Sequence, residues 1–470
     1  MSKGSNLNDS SNATPSDEIQ KDNRGPGGFT EGPVHKHLIR LTGFMVMGLI
    51  SVMGASLIET VYIGKVGTNE LAALSFSFPM VMLFQGISMG LGIGASSVVA
   101  RTMGRGNIEQ AKTLITHCFI LVVTLIIVLS GLTYNFVDDY FEILGADALV
   151  RPLATTYMQI WLVGLPFFTV AMVGSTLMRA AGDAKTPGVL MTIGSVLHVI
   201  ISPFFIFGLM GAPKLGLTGA AVGFVLARII SFLMYAYIII VRDKLFDFSM
   251  KDFKKSCFDI LHVGLPAIAS NMIFPISMSI ITKLLAGHGT VVIAGFGVAS
   301  RIESMVLMVV FSLSMSTAPF IGQNWGAGLF DRVKQSLKLA NRFVIIWGIF
   351  AYCFFFAFAD ELVALINDDP GVLESAVMYL RIVPLSMGFM GLIALSTASF
   401  NALGKPIPPL IISVCQMIIV NIPLALLGDY LWGYMGIFVA GAFTVTLMGI
   451  VSWVWITKQV ESGIHKRLVI

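Results

Sequence analysis

The sequence predicts an all-α membrane protein of twelve transmembrane helices arranged as two parallel six-helix lobes. Three observations carry this prediction. First, 56% of the 470 residues are apolar and only 12% are charged, against about 25% charged in a soluble domain. Second, the apolar residues fall into twelve runs, each long enough at roughly 20 residues per span. Third, the chain repeats itself at an offset near 222 residues, six helices apart. This excludes a single-span receptor, a secreted scaffold and a soluble enzyme.

In chain order, residues 1–37 are rich in Ser, Asn, Asp, Gly and Pro and hold no apolar core, so a disordered tail is expected and not a signal peptide. The first helix, 38–64, then has to act as the targeting signal. Runs at 71–100, 113–136, 153–180, 187–210 and 216–241 complete an N-lobe over 38–241. A charged stretch at 242–258, with Arg242, Lys244, Lys251, Lys254 and Lys255, reads as a linker between lobes. The C-lobe, 259–457, holds runs at 259–286, 291–322, 339–366, 376–403, 406–428 and 434–457, and 458–470 reads as a second tail. Pro79, Pro166, Pro203, Pro275, Pro319, Pro384 and Pro423 lie inside these runs and mark expected bends, since each removes a backbone hydrogen bond.

Orientation follows from the basic residues. Arg101, Arg105 and Lys112, Arg179 and Lys185, the linker cations, Arg332, Lys334, Lys338 and Arg342, and Lys458, Lys466 and Arg467 all fall on one side. The other side holds only Lys65, Arg151, Lys214 and Arg381, beside acidic connections at Asp138-Asp139 and Asp368-Asp369. The positive-inside rule then puts both termini in the cytoplasm. Cys118, Cys257, Cys353 and Cys415 form no C-x-x-C pair, so neither a disulfide framework nor a metal site is expected.

The repeat aligns Gly104 with Gly326, Gly106 with Gly328, Lys112 with Lys334, Gly67 with Gly289 and Gly182 with Gly404. Six is an even number of spans, so the halves share one membrane orientation and are related by an axis along the bilayer normal. Parallel repeats of this kind are a transporter architecture, with the substrate bound between lobes that rock to alternate access.

Several segments resemble the multidrug and toxic compound extrusion (MATE) family. They are Leu57-Ile-Glu-Thr-Val-Tyr-Ile-Gly64, Ala100-Arg-Thr-Met-Gly-Arg-Gly-Asn107, Gly297-Val-Ala-Ser-Arg-Ile-Glu303 and Gly322-Gln-Asn-Trp-Gly-Ala-Gly328, with the turns at Arg179–Pro187 and Asn401–Pro406. The resemblance covers about 38–457 in order and spacing. It implies a V-shaped pair of six-helix bundles around a central cavity, exporting organic compounds in exchange for H⁺ or Na⁺. It also implies a monomeric inner-membrane protein with no cofactor, no enzymatic activity and no nucleic-acid partner, and with cationic, amphipathic molecules among the small organic substrates.

An ionisable group within a span needs a reason to be there, and only Glu59 and Glu303 among the acids lie well inside the expected helices. Glu59 is five residues before the end of the first helix, roughly 7–8 Å deep, where a carboxyl could gain and lose a proton. By the resemblance it stands where the family carries an acidic residue essential for coupling. The matching partners on the fifth helix are His198 and Ser202, on one helix face at i, i+4, in place of the Asn and Asp of members with an N-lobe cation site. Imidazole is a poor ligand for a hard cation and a good proton partner, so H⁺ is favoured over Na⁺. Carboxylates that other members carry in the C-lobe are missing: the matching positions hold Phe274 and fall near Met390. This favours the DinF-like branch, which couples through the N-lobe.

Arg301 and Glu303, at i, i+2, point about 200° apart on the eighth helix and each needs a partner elsewhere, in a packing network or in the cavity. Asn271, Gln416 and Met390 are further candidates for lining the cavity, while Arg228 and Lys283 read as structural. The rival readings are a major-facilitator transporter, which also has two parallel halves, and a lipid-linked-sugar transporter. The former lacks support because Arg101-Thr-Met-Gly-Arg105 has no Asp in its turn, and the latter should show more cavity cations.

Overall fold

The computed structural model describes residues 28–183, 185–366 and 369–468. Among them, twelve helices are long and apolar enough to cross a membrane: α1 Val34–Gly64, α2 Thr68–Gly104, α3 Ile108–Ile143, α4 Val150–Ala180, α5 Lys185–Phe207, α6 Leu217–Arg242, α7 Phe253–Ala286, α8 Thr290–Gly326, α9 Phe330–Ala364, α10 Pro370–Ala402, α11 Ile407–Trp432 and α12 Tyr434–Ile464. Residues 1–27 and Asp368 lie outside the described set, as do the side chains of Lys466 and Arg467.

Between apolar helices in lipid, association depends on close packing and on small residues that let backbones approach. In the N-lobe α4 packs against α2, α3 and α6, while α5 packs against α1 and α6. The C-lobe repeats the scheme, with α10 against α8, α9 and α12, and α11 against α7 and α12. Glycines sit at the crossings: a Cβ on Gly164 would lie 2.7 Å from Val225 Cγ2, and one on Gly388 3.3 Å from Ile345 Cα.

The lobes meet toward the end that carries the termini. There α2 packs on α7 and, in the equivalent relation, α8 packs on α1. A Cβ on Gly90 would stand 2.7 Å from the Ile268 amide nitrogen, and one on Gly94 2.8 Å from the Gly264 nitrogen. Gly104 lies against the carbonyl of Gln323, and its repeat mate Gly326 lies against the carbonyl of Arg101, which is itself the repeat mate of Gln323. Gly404 is filled by the Arg101 guanidinium, and Gly182 faces the Gln323 amide. The Ser97 hydroxyl donates to the Asn401 carbonyl across the same seam. Gly106 and Gly328 both take left-handed φ, 76° and 75°, to turn the chain between helices. Beyond the seam, Phe78, Met82, Phe274 and Ile276 are exposed on α2 and α7, and the interlobe contacts named above lie in the half of the molecule that carries the termini.

Four boundaries differ from the sequence expectation. Residues 28–37, expected in a disordered tail, are packed: Phe29 is 2% exposed, Val34 1%, and α1 starts at Val34. The linker shrinks from 242–258 to 243–252 because α7 already begins at Phe253. It is bound to α3, where Thr113 donates to Asp247 (2.7 Å), the Asp247 amide donates to Thr116 (2.9 Å) and His117 Nε2 meets the Ser249 carbonyl (2.8 Å). The C-terminal tail begins as a continuation of α12, since Val460 and Ile464 are buried and Gly463 admits the Trp325 ring. Of the expected proline bends, Pro384 lies in a 3₁₀ turn, Val383–Ser386, and Pro423 follows a π-helical stretch, Cys415–Asn421; the other five lie inside continuous α-helix.

Candidate functional site

In the N-lobe, α1 carries Glu59 one turn and a half from its end, and α5 brings His198 up to it, with Ser202 one turn further along α5 against Gly223 of α6. His198 Nε2 stands 3.5 Å from Glu59 Oε1, with side-chain exposures of 6% and 15%. His198 and Ser202 are 5% and 1% exposed as whole residues. α5 and α6 approach closely here because Gly223 leaves room for Ser202, whose Oγ would be 2.6 Å from an added Cβ.

On α6, Arg228 and Phe224 share a face at i, i−4. The Arg228 guanidinium carbon lies 5.0 Å from the Phe224 ring centre and 5.4 Å from that of Phe168. His198 meets the same Phe224 ring edge-on at 5.9 Å, and Trp161 stacks on it at 5.5 Å. Arg228 and the buried Tyr157 are both within electrostatic reach of Glu59. Among the described residues, Glu59 Oε1, His198 Nε2, Ser202 Oγ and Arg228 Nε are buried and make no hydrogen bond. Buried polar atoms are normally paired. Glu59 of α1 and His198 of α5 thus form a close carboxylate–imidazole pair, and Arg228 of α6 packs on the same Phe224 ring as His198.

The C-lobe holds a different arrangement. Tyr379 Oη donates to Glu303 Oε2 at 2.6 Å, joining α10 to α8. The Tyr379 ring packs against Phe296 and Phe438 at 5.5 and 5.1 Å. Glu303 thus has the partner its position demanded, while Arg301 points away from it and is exposed. Asn271 lies in the seam, its Cβ 3.9 Å from where Gly86 would carry one, and its Nδ2 makes no hydrogen bond among the described residues. One candidate for the cavity, Gln416, is instead buried, and another, Met390, is half-buried. Gln416 is 4% exposed within the π-helical stretch of α11, and Met390 packs against the cluster of Ile393, Phe400 and Met448. Helix register alone could not show that their faces are covered by neighbouring helices. Among the described residues no group of His, Cys, Asp and Glu could hold a metal ion.

A family model described as MatE matches residues 45–204 and again 266–427, two stretches offset by close to the internal repeat. The chain belongs to the MATE family. It is 33% identical to a FAD transporter of Shewanella oneidensis over 91% of this chain and 95% of that protein. It is 26% identical to the probable multidrug resistance protein YoeA of Bacillus subtilis, over 84% and 88% of the two chains. Among solved structures, the Vibrio cholerae MATE transporter VcmN in its bent form superposes with a TM-score of 0.87 at 29% identity, covering 91% of this chain and 97% of that one. The twelve-helix, two-lobe architecture is accordingly that of a MATE transporter, and the chain is a multi-pass membrane exporter of small organic compounds.

Within this MATE chain the structure brings together Glu59 and His198, both singled out in the sequence, and sets beside them Arg228, which the sequence reading left as structural. The available signal was an intramembrane cation one turn after an aromatic residue, Phe224-x-x-x-Arg228, which favours a guanidinium over a ring. Tyr379 was missed too, because its partnership with Glu303 depends on how α8 and α10 pack.

Proposed function

We propose that this MATE transporter exports its substrate in exchange for protons, with Glu59 as the proton-carrying group. The observation that carries this reading is the buried Glu59–His198 approach at 3.5 Å, surrounded by Ser202 and Arg228 atoms with open hydrogen-bonding capacity. With Glu59 ionised, Arg228 and His198 attract it and hold α1 against α5 and α6. A proton on Glu59 removes that attraction and frees the outer end of α1 to move. A Na⁺ site needs several oxygen ligands, and one carboxylate with one hydroxyl beside an imidazole and a guanidinium supplies few. H⁺ is therefore the coupling ion, in place of Na⁺.

The basic residues of the connecting loops support cytoplasmic termini and placement in the inner membrane. The lobes are then closed toward the cytoplasm and parted toward the outside. Proton entry from outside would drive substrate release there.

For the substrate, the FAD transporter relative and the cavity cations point the same way. Arg301 lies about 16 Å along α8 from Thr290 and is exposed. A guanidinium at that depth is far less costly facing a water-filled cavity than facing lipid, and Lys283 is exposed nearer the outer end of α7. We favour an anionic, aromatic cargo of the flavin dinucleotide class over a cationic one. Its phosphates would meet Arg301, and its rings would meet apolar cavity walls.

Vesicles reconstituted with the full chain and loaded with FAD test each part. An imposed pH gradient should drive FAD movement, and Glu59→Gln should reduce it to the background of empty vesicles. Undiminished transport in Glu59→Gln would remove the coupling role, and transport driven by a Na⁺ gradient alone would overturn the proton assignment. Gradient-driven movement of an organic cation with none of FAD would overturn only the substrate class.

A further inference from the structure

Ahead of α1, residues 28–33 run across the seam between the lobes and are held on both sides. The Phe29 amide donates to Gln323 Oε1 (3.3 Å), and the Phe29 carbonyl accepts from Asn324 Nδ2 (3.0 Å) and Arg332 Nη2 (2.9 Å). Arg332 reaches two further carbonyls of the segment, Glu31 (3.0 Å) and Gly32 (2.7 Å), and its Nε donates to Asn324 Oδ1 at 2.8 Å. The Phe29 ring packs on Phe320 and His37, and His37 Nε2 meets the Glu31 carbonyl at 2.8 Å. These anchors, apart from His37, belong to α8 and the start of α9 in the C-lobe.

The N-lobe is engaged by the same groups. Gln323, which receives the Phe29 amide, donates through Nε2 to the Ala180 carbonyl at 2.7 Å. Gly28 lies beside Gly182, 3.7 Å from where that residue would carry a Cβ. The segment continues directly into α1, which packs in the N-lobe on α5: Gly188 lies against the Phe44 backbone, and Gly48 would place a Cβ 3.2 Å from that of Met191. One guanidinium and two amide side chains of the C-lobe thus grip a strand of chain rooted in the N-lobe.

We infer that residues 28–33 form a strap that latches the lobes shut at the end carrying the termini, and that its release from Arg332, Asn324 and Gln323 is a step of opening that end. Separation of α8 from α1 and α4 stretches the strap or tears it from Arg332, and both routes break bonds to a charged group, among the strongest of protein hydrogen bonds. Placing the strap on the C-lobe therefore favours the state closed here. The inference rests on alternating access and on neither the coupling ion nor the substrate proposed above.

The test reads seam accessibility in the full chain, reconstituted in lipid nanodiscs without substrate. With the four native cysteines replaced by serine, Ser97→Cys places a thiol at the interlobe contact with Asn401, and its rate of modification by a water-soluble maleimide reports opening. Arg332→Gln should raise that rate about tenfold, the change in population expected for loss of a hydrogen bond to a charged group, and Phe29→Ala, which keeps the backbone bonds but loses the ring packing on Phe320 and His37, should raise it as well. Arg332→Lys, which keeps the charge and fewer of the bonds, should fall between. Unchanged rates in variants that elute as the parent does would overturn the latch. Should a variant not fold, the Ser97→Cys chain without further substitution decides: across nanodiscs of different lipid composition, hydrogen exchange at residues 28–33 should rise together with the maleimide modification rate. Strap protection that stays constant while the seam opens would overturn the inference equally.

Discussion

Tyr379 and Glu303 allow the clearest energetic test of a single contact. The phenol donates a hydrogen bond to a carboxyl held between α8 and α10, and hydrogen bonds between membrane helices measure about 0.6–1.7 kcal/mol. Tyr379→Phe should cost that much, read as a lower thermal midpoint of the purified protein. Glu303→Gln, which still accepts from the phenol, should cost less. An unchanged midpoint in Tyr379→Phe, whose ring still packs on Phe296 and Phe438, would show that ring packing sets the stability and that the hydrogen bond does not. Residue by residue, the sequence was informative where chemistry is rare. Glu59 and Glu303 stood out as acids in apolar runs, and the i, i+4 pair of His198 and Ser202 was legible from helix geometry. Arg228, Tyr379 and the cover over Gln416 and Met390 depend on which helices adjoin, which periodicity does not encode.

At the scale of helices, glycine placement decides how close the two halves come. A Cβ on Gly104 would collide with the Gln323 carbonyl, and one on Gly326 with that of Arg101. Relief requires the ends of α2 and α8 nearest the termini to separate, since a backbone carbonyl cannot rotate away as a flexible side chain can. Overpacking of this kind costs about 1–3 kcal/mol, borne only by the closed seam. Gly104→Ala and Gly326→Ala should therefore each raise maleimide modification of Ser97→Cys, and by similar factors because the two contacts are equivalent under the repeat. A rise in one variant alone would show that the halves do not share the contact symmetrically. Twelve spans and their repeat were readable because apolar length and an offset of 222 residues survive in one dimension. The ordered strap and the extended start of α7 were not, because polar loops reveal their partners only in three dimensions. The Asp247 and Phe29 contacts are the cases in point.

For the whole molecule, alternating access by rocking lobes requires the seam to part, so on that proposal fixing the seam must stop transport. Ala100 and Gly322 provide the place to fix it. They face each other across the lobes, and a Cβ on Gly322 would lie 2.8 Å from that of Ala100. Disulfides need Cβ atoms about 3.5–4.5 Å apart, so cysteines at both positions require a parting of roughly 1 Å, within reach of small helix shifts. In a chain with its native cysteines replaced, Ala100→Cys with Gly322→Cys should form a disulfide on oxidation. Gradient-driven transport should then fall to the level of empty vesicles and return on reduction, with each single substitution unaffected by either treatment. Recovery in the same molecules separates a locked state from a misfolded one. Transport at the parental rate with the disulfide fully formed would mean that the lobes exchange access without parting at this seam. The pseudo-twofold motion implied by the repeat would then have to be abandoned for movement within a single lobe.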